Sequence, residues 1–189
     1  MILILLGPHS EKIADDSYEC CTYDPPGDGS CFYWCIKHLV NDLTNASTAN
    51  LRSMTASFIE NDPNLRLFAP QSHATNTNIS ISDYCASVRG SMFAGDPECT
   101  AMMALCCQEI FLFVIDTENK TYWEKSYKFD DRNVSGRIYL MLFDEEEHFQ
   151  GLYMQKKTNP HDQIKEFSSS DETAQNLFRK YIETSTGGI

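Results

Sequence analysis

Positive charge is scarce in this sequence: 15 lysines and arginines stand against 27 aspartates and glutamates, a formal net charge of −12. Such a balance repels polyphosphate, argues against general nucleic-acid binding and favours partners with basic surfaces or tails. Long apolar runs are equally scarce. The opening MILILLGPHSEK has an apolar run of six residues, with no basic segment before it and no small-residue cleavage site close behind. It fails as a signal peptide and is too short to cross a bilayer. It reads instead as a buried strand ended by Gly7-Pro8. Zinc-knuckle spacing is missing too. The eight cysteines (Cys20, Cys21, Cys31, Cys35, Cys85, Cys99, Cys106 and Cys107) form two adjacent pairs and a C-x3-C rather than C-x2-C pairs, and the five histidines are scattered. The expectations are reduced thiols, a cytoplasmic location, no membrane, no nucleic acid, no metal and no cofactor.

What is present suits a folded globular protein. The 189 residues are 42% hydrophobic, 12% aromatic and 22% charged, enough chain for one domain over 1–189 with a substantial core. A turn-rich loop over 16–30 precedes CFYWCIKHLVNDL, whose apolar residues 32, 35, 36, 39, 40 and 43 share one helical face. A second helix fits 47–60, and 69–80 reads as a polar loop. Ser82 is an N-cap candidate for a helix to about 92, and Asp96-Pro97 for the next, with the acid capping and proline at the first helical position. Strand-like runs follow at IFLFVID, TYWEKSYKF, RIYLMLF and HFQGLYMQ, the last two joined by a tight acidic DEEE connection. A polar connector over 157–170 leads to an amphipathic helix at about 171–184, capped by Asp171 or Ser170, and TSTGGI reads as a frayed end. The order of helices, then strands, then a closing helix predicts an α+β domain with a small, mostly antiparallel sheet flanked by helices.

The stretch GDGSCFYWC places Cys31 at the start of the first helix. A thiol nucleophile needs a lowered pKa, a base in reach and nearby donors for an oxyanion. Free amides and the helix dipole supply the first, and Gly27 and Gly29 leave the backbone free to turn its amides toward one point. For the base, His148 follows the DEEE turn at a strand start. His38 lies seven residues along the same helix, roughly 10 Å away at 1.5 Å per residue, too far for direct proton transfer. His9, His73 and His161 occupy polar, turn-like surroundings. The residue-level alternatives are a core role for Cys31, Cys35 and Phe149, a turn role for Asp28 and a solvated turn for DEEE.

DGSCFYWCI resembles the D-G-x-C-[LF]-[FY] signature of the ovarian tumour (OTU) family of cysteine proteases. EEEHFQGLY resembles that family's closing motif, a histidine followed by an aromatic residue on a late strand. Between them, YCASVRGSMFAGDPECTAMMALCCQEIFLFVID resembles its middle block, so the resemblance runs over about 24–153 in the family's order. It implies a papain-type fold and mechanism, with Cys31 as nucleophile and His148 as base. It also implies an oxyanion site along Asp28, Gly29, Ser30 and Cys31, shaped by Asp28, and Phe149 walling a channel for a Gly-Gly tail. The implied substrate is ubiquitin or a ubiquitin-like modifier joined by an isopeptide bond. One departure concerns the third catalytic member. Many relatives have Asp or Asn two residues after the histidine, where this sequence has Gln150; Gln150 can accept the ring N–H, and Asp24, upstream of Cys31, is the other candidate.

The leading expectation is therefore a monomeric, cytoplasmic deubiquitinase, in host cytoplasm if the chain is viral. Two alternatives stand beside it: a viral polyprotein-processing protease of the same fold, and a catalytically silent ubiquitin-binding module in which Gln150 leaves His148 misplaced.

Overall fold

The computed structural model describes residues 17–71, 79–128 and 136–185. The strand expected over the first residues lies outside these, as do most of the loop at 69–80 and the final four residues. Strand β1 (Tyr18–Tyr23) comes first, followed by helices α1 (Cys31–Leu39), α2 (Thr48–Asn61), α3 (Pro63–Phe68), α4 (Ile81–Arg89) and α5 (Asp96–Cys106). Strands β2 (Gln108–Asp116), β3 (Thr121–Tyr127), β4 (Gly136–Phe143), β5 (His148–Lys156) and β6 (Asn159–Ile164) follow, then helix α6 (Glu172–Ser185). Two strands differ from the sequence reading: β1 lies inside the stretch read as a loop, and β6 inside the polar connector. Both are edge pieces that add to β5. The expected helix over 31–43 stops at Leu39, and a single 3₁₀ turn, Asn41–Leu43, finishes it.

The strands form one sheet in the order β1-β5-β4-β2-β3, with β6 also pairing β5. All pairings are antiparallel except β2 with β4. The run QEIFLFVID is buried almost throughout, as a strand covered on both faces must be. Alternation sends Ile110, Leu112 and Val114 to one face, where they meet Phe32, Cys35, Ile36 and Leu39 of α1 and Cys99, Met102 and Met103 of α5. Phe111, Phe113 and Ile115 point the other way, onto Ala174, Phe178 and Ile182 of α6. A smaller cluster, including Ile59, Leu65, Tyr84, Val88 and Ala101, binds α2 to α5 into a helical layer. Among the described residues no helix is long and apolar enough to cross a membrane.

Local chemistry sets the helix starts. Ser47 accepts from the amide of Asn50, and Asp62, just ahead of Pro63, accepts from those of Asn64 and Leu65. Helix α4 is capped by Ser80 rather than Ser82, because Ser80 Oγ reaches the Asp83 amide. Helix α5 is capped at Gly95 rather than Asp96: the buried Glu98 carboxylate accepts the Gly95 N–H at 2.8 Å. That frees Asp96 to accept from Lys125 and Tyr127 of β3 at 2.6 and 2.8 Å. At α6 the Asp171 carboxylate accepts the Thr173 amide, as a cap should.

Helix α1 packs closely against β5. A Cβ built on Gly151 would sit 3.3 Å from Leu39 Cδ1, so the absent side chain at 151 lets helix and strand approach.

Candidate active site

Three chain segments converge at the N-terminus of α1: the loop from Asp24 to Ser30, the turn from Asp144 to Glu147 with the start of β5, and residues 91–93. Cys31, in the first turn of α1, is 5% exposed, and what it exposes faces a cleft of about 300 Å³. That cleft is lined by Gly27, Gly29, Cys31, Ser91, Phe93, Glu146, Glu147 and His148. The Phe149 amide donates to Cys31 Sγ at 3.5 Å, and the Glu147 carbonyl lies 3.9 Å from the same sulfur. The backbone groups on either side of His148 thus bracket the thiol. Glu147 has φ +48°, a left-handed residue closing the acidic turn that delivers His148 to the cleft.

The histidine is oriented by β1. Register pairs Tyr23 with Gly151, so the next residue, Asp24, comes alongside the stretch of β5 that holds His148 and Gln150. His148 Nε2 lies 2.7 Å from Asp24 Oδ1. When Nε2 donates to the carboxylate, Nδ1 is the ring nitrogen left for other partners. Gln150 Nε2 donates to the same Asp24 oxygen at 3.0 Å. Of the two candidates for the third position, Asp24 contacts the ring, and Gln150 braces Asp24.

Asp28 is a loop organiser here. Its Oδ1 accepts the Ser30 amide at 2.9 Å and its Oδ2 accepts the Trp34 indole N–H at 3.0 Å. The Trp34 bond, aided by the Ser30 amide, holds its carboxyl below the ordinary range. Two expectations need correction. The Ser30 amide is committed to Asp28, so of the expected stretch it is Gly29 (φ +78°) and the first-turn amides of α1, beginning at Cys31, that keep backbone N–H groups free of Asp28. Phe149 is 1% exposed and does not line the cleft. Alternation along β5 turns it inward, where it packs on Phe32 and stacks on Phe93 with ring centres 5.1 Å apart. Phe93 is the aromatic wall, supported from behind by Phe149.

The other candidates separate cleanly. Cys35 is fully buried, its S–H directed at the Phe149 carbonyl at 3.6 Å, and burial pushes its thiol well up. His38 stacks on Tyr23 at 4.1 Å beside a second cleft lined by Trp34, Lys37, Thr44 and Lys165. Burial, with the nearby Lys165 charge, lowers its pKa to about 4. His161 is exposed on β6; His9 and His73 lie outside the described residues. Among the described residues no three His, Cys, Asp or Glu side chains cluster to hold a metal. Sequence reasoning missed Ser91, Phe93, Trp34 and the buried Arg52, which bonds to Gly29 and Ser30. Only Trp34 left a signal, an indole one turn past the cysteine of the D-G-x-C stretch.

No family profile matches the sequence, and no curated protein matches it. Solved structures do. An ovarian tumour (OTU) domain in complex with ubiquitin superposes with a TM-score of 0.61 over 96% of this chain and 93% of its own, at 14% identity. The chain has the OTU fold. An OTU deubiquitinase from Wolbachia pipientis wMel, bound to ubiquitin, shares 19% identity, with a TM-score of 0.54 over 73% of this chain and 96% of its own. The viral OTU domain protease from Dera Ghazi Khan virus shares 18%, with a TM-score of 0.53 over 75% and 88%. The OTU fold thus spans nearly the whole length of these neighbours in this chain, at identities too low to carry residue roles.

Proposed function

We propose that the protein is a thiol-dependent hydrolase that cleaves isopeptide bonds formed by ubiquitin or a ubiquitin-like modifier. One observation carries the reading: the Cys31 sulfur is bracketed by the backbone flanking His148, whose Nε2 is engaged by Asp24 at 2.7 Å. This is the nucleophile, base and orienting acid that acyl transfer requires. The substrate class is supported by neighbours of the same fold solved with ubiquitin bound.

In this reading His148 Nδ1 takes the thiol proton. The resulting thiolate is favoured by the N-terminus of α1 and by the Phe149 N–H. Sγ attacks the carbonyl carbon of the modifier's last residue. The oxyanion so formed is met by backbone amides of the loop ahead of Cys31 and the first turn of α1. The C–N bond breaks as imidazolium gives its proton to the leaving lysine amine, which leaves a thioester on Cys31. Water, deprotonated by the now neutral His148, attacks that thioester and releases the modifier's carboxylate and the thiol. Asp24 holds the ring's tautomer and stabilises the imidazolium. Gln150, by fixing Asp24, supports activity, which removes the reason for expecting a silent module.

Incubation with ubiquitin bearing a C-terminal electrophile should give a single covalent adduct at Cys31, absent from Cys31→Ala. An adduct that persists in that variant sinks the assignment. Ubiquitin binding without turnover of a fluorogenic ubiquitin substrate would instead identify a binding module.

A further inference from the structure

Arg52 lies on α2, outside the residues that line the cleft, and is 3% exposed. An arginine there would ordinarily pair with a carboxylate. This one spends its fork on backbone and a hydroxyl. Nη2 donates to the Gly29 carbonyl at 2.5 Å and Nε to Ser30 Oγ at 3.3 Å. Nη1 donates to the carbonyls of Val88 and Met92 at 2.9 and 3.1 Å. The guanidinium carbon lies 4.6 Å from the centre of the Tyr33 ring, on the helix that begins at Cys31.

The consequence concerns one peptide unit. The carbonyl of Gly29 and the amide of Ser30 belong to the same peptide plane and point in opposite directions. Arg52 holds the oxygen, and the Asp28 carboxylate holds the N–H at 2.9 Å. A flip of this plane breaks both bonds at once. Gly29, at φ +78°, is the residue about which such a flip would otherwise be easy. The next plane along the chain, Ser30–Cys31, carries the Cys31 amide, and the plane before carries that of Gly29, so the clamped unit constrains how both neighbouring donors face the cleft. The remaining two bonds of Arg52 tie this loop to the end of α4 and to Met92, beside Ser91 and Phe93 on the opposite wall. A cation also suits the C-terminal end of α4.

We propose that Arg52 is a positioning residue: with Asp28 it clamps the Gly29–Ser30 peptide unit, keeping the oxyanion donors ahead of Cys31 aimed into the cleft and the two cleft walls in register. The role in catalysis rests on the hydrolase reading above; the clamp itself does not. Lysine in its place keeps the charge but has one nitrogen, which cannot reach acceptors on both segments.

The test uses Arg52→Lys and Arg52→Gln in the full chain, with three measurements. In hydrolysis of a fluorogenic ubiquitin substrate both variants should lose roughly 10- to 100-fold in kcat with little change in KM, as removal of oxyanion stabilisation does. Peptide-resolved alkylation of Cys31 by iodoacetamide, a reaction with no oxyanion, should keep the wild-type rate and pH profile. Hydrogen exchange across residues 28–32 should quicken in both variants while the sheet stays protected. Unchanged kcat, or a shifted Cys31 alkylation profile that accounts for the loss, overturns the positioning role. Unchanged exchange over 28–32 overturns the clamp, even where the wild type is active. A wild type that cleaves no ubiquitin substrate while its variants still loosen 28–32 overturns the hydrolase reading and the catalytic role, and leaves the clamp standing. If Arg52→Gln does not fold, Arg52→Lys carries all three measurements, and Asp28→Asn probes the other end of the same peptide unit.

Discussion

Cys31 and Cys35 stand one turn apart on α1 and meet the same residue of β5 through opposite backbone groups. At Cys31 the Phe149 N–H donates to sulfur; at Cys35 the thiol proton is directed at the Phe149 carbonyl. At Cys35, giving the thiol proton to a carbonyl favours the neutral form. Burial pushes the Cys35 thiol well up, and the negative charges that Cys31 and Asp24 can carry push it the same way. Cys31 instead borders the cleft and the first-turn amides. The two histidines, one on β5 and one on α1, divide in the same way. His148 has an acid on one nitrogen and borders Cys31's cleft, whereas His38 is stacked on Tyr23 and kept neutral by burial. Residues of the same type differ here according to which end of α1 they lie beside.

That contrast can be broken most sharply at the sulfurs. Cys31→Ala should lower turnover of a ubiquitin substrate by roughly three orders of magnitude or more. Cys35→Ala should leave kcat alone and cost about 1 kcal/mol of folding free energy in denaturant titration; equal losses of activity in the two would erase the distinction. Next comes the acid on the ring. Asp24→Ala should reduce kcat by roughly 10²- to 10⁴-fold, the range expected when a catalytic histidine loses its orienting partner. Gln150→Ala, which removes one hydrogen bond to that acid, should cost about fivefold. The two changes should not multiply in the double variant, because Gln150 acts through Asp24.

The smallest effect lies at the other histidine and appears in stability rather than rate. A neutral His38 in the fold, against a pKa near 6.5 when unfolded, means the unfolded chain binds the extra proton first as pH falls. Its contribution is therefore full above about pH 6.5, declines with falling pH and is gone near pH 4. His38→Phe keeps the stack on Tyr23 and should flatten this acid-side slope, by about 1–2 kcal/mol after allowance for the ring's partial exposure to solvent. An unchanged slope would mean that another group carries it.

Much of the architecture could be read from the chain because its central parts are strongly patterned. The apolar run of β2, the one-sided face of α1 and the amphipathic α6 all announce themselves by period. Strands β1 and β6 did not. YECCTY sits beside a turn-rich loop and is only partly buried, and NPHDQI is polar with a proline; both are strands because β5 offers an edge. The site divides in the same way. Cys31 and His148 were visible as local motifs, and Asp24 and Gln150 as alternatives whose order is fixed by the register of β1 on β5. Phe149 was misassigned because a strand's facing residue cannot be known before its layers are. Arg52 was invisible because three of its four acceptors are carbonyls on two other segments, and carbonyls are not spelled in side chains.

Gly151 places nothing in the cleft, yet it sets a spacing on which the cleft depends. Sulfur and imidazole ride on separate elements, and a methyl at 151 would press on Leu39 Cδ1 at 3.3 Å. Leu39 is eight residues from Cys31, roughly 12 Å down the helix axis, so even a few tenths of an ångström of wedge there acts as a lever on the far end. A single methyl group at 151 would thus shift Cys31 relative to His148 from outside the cleft.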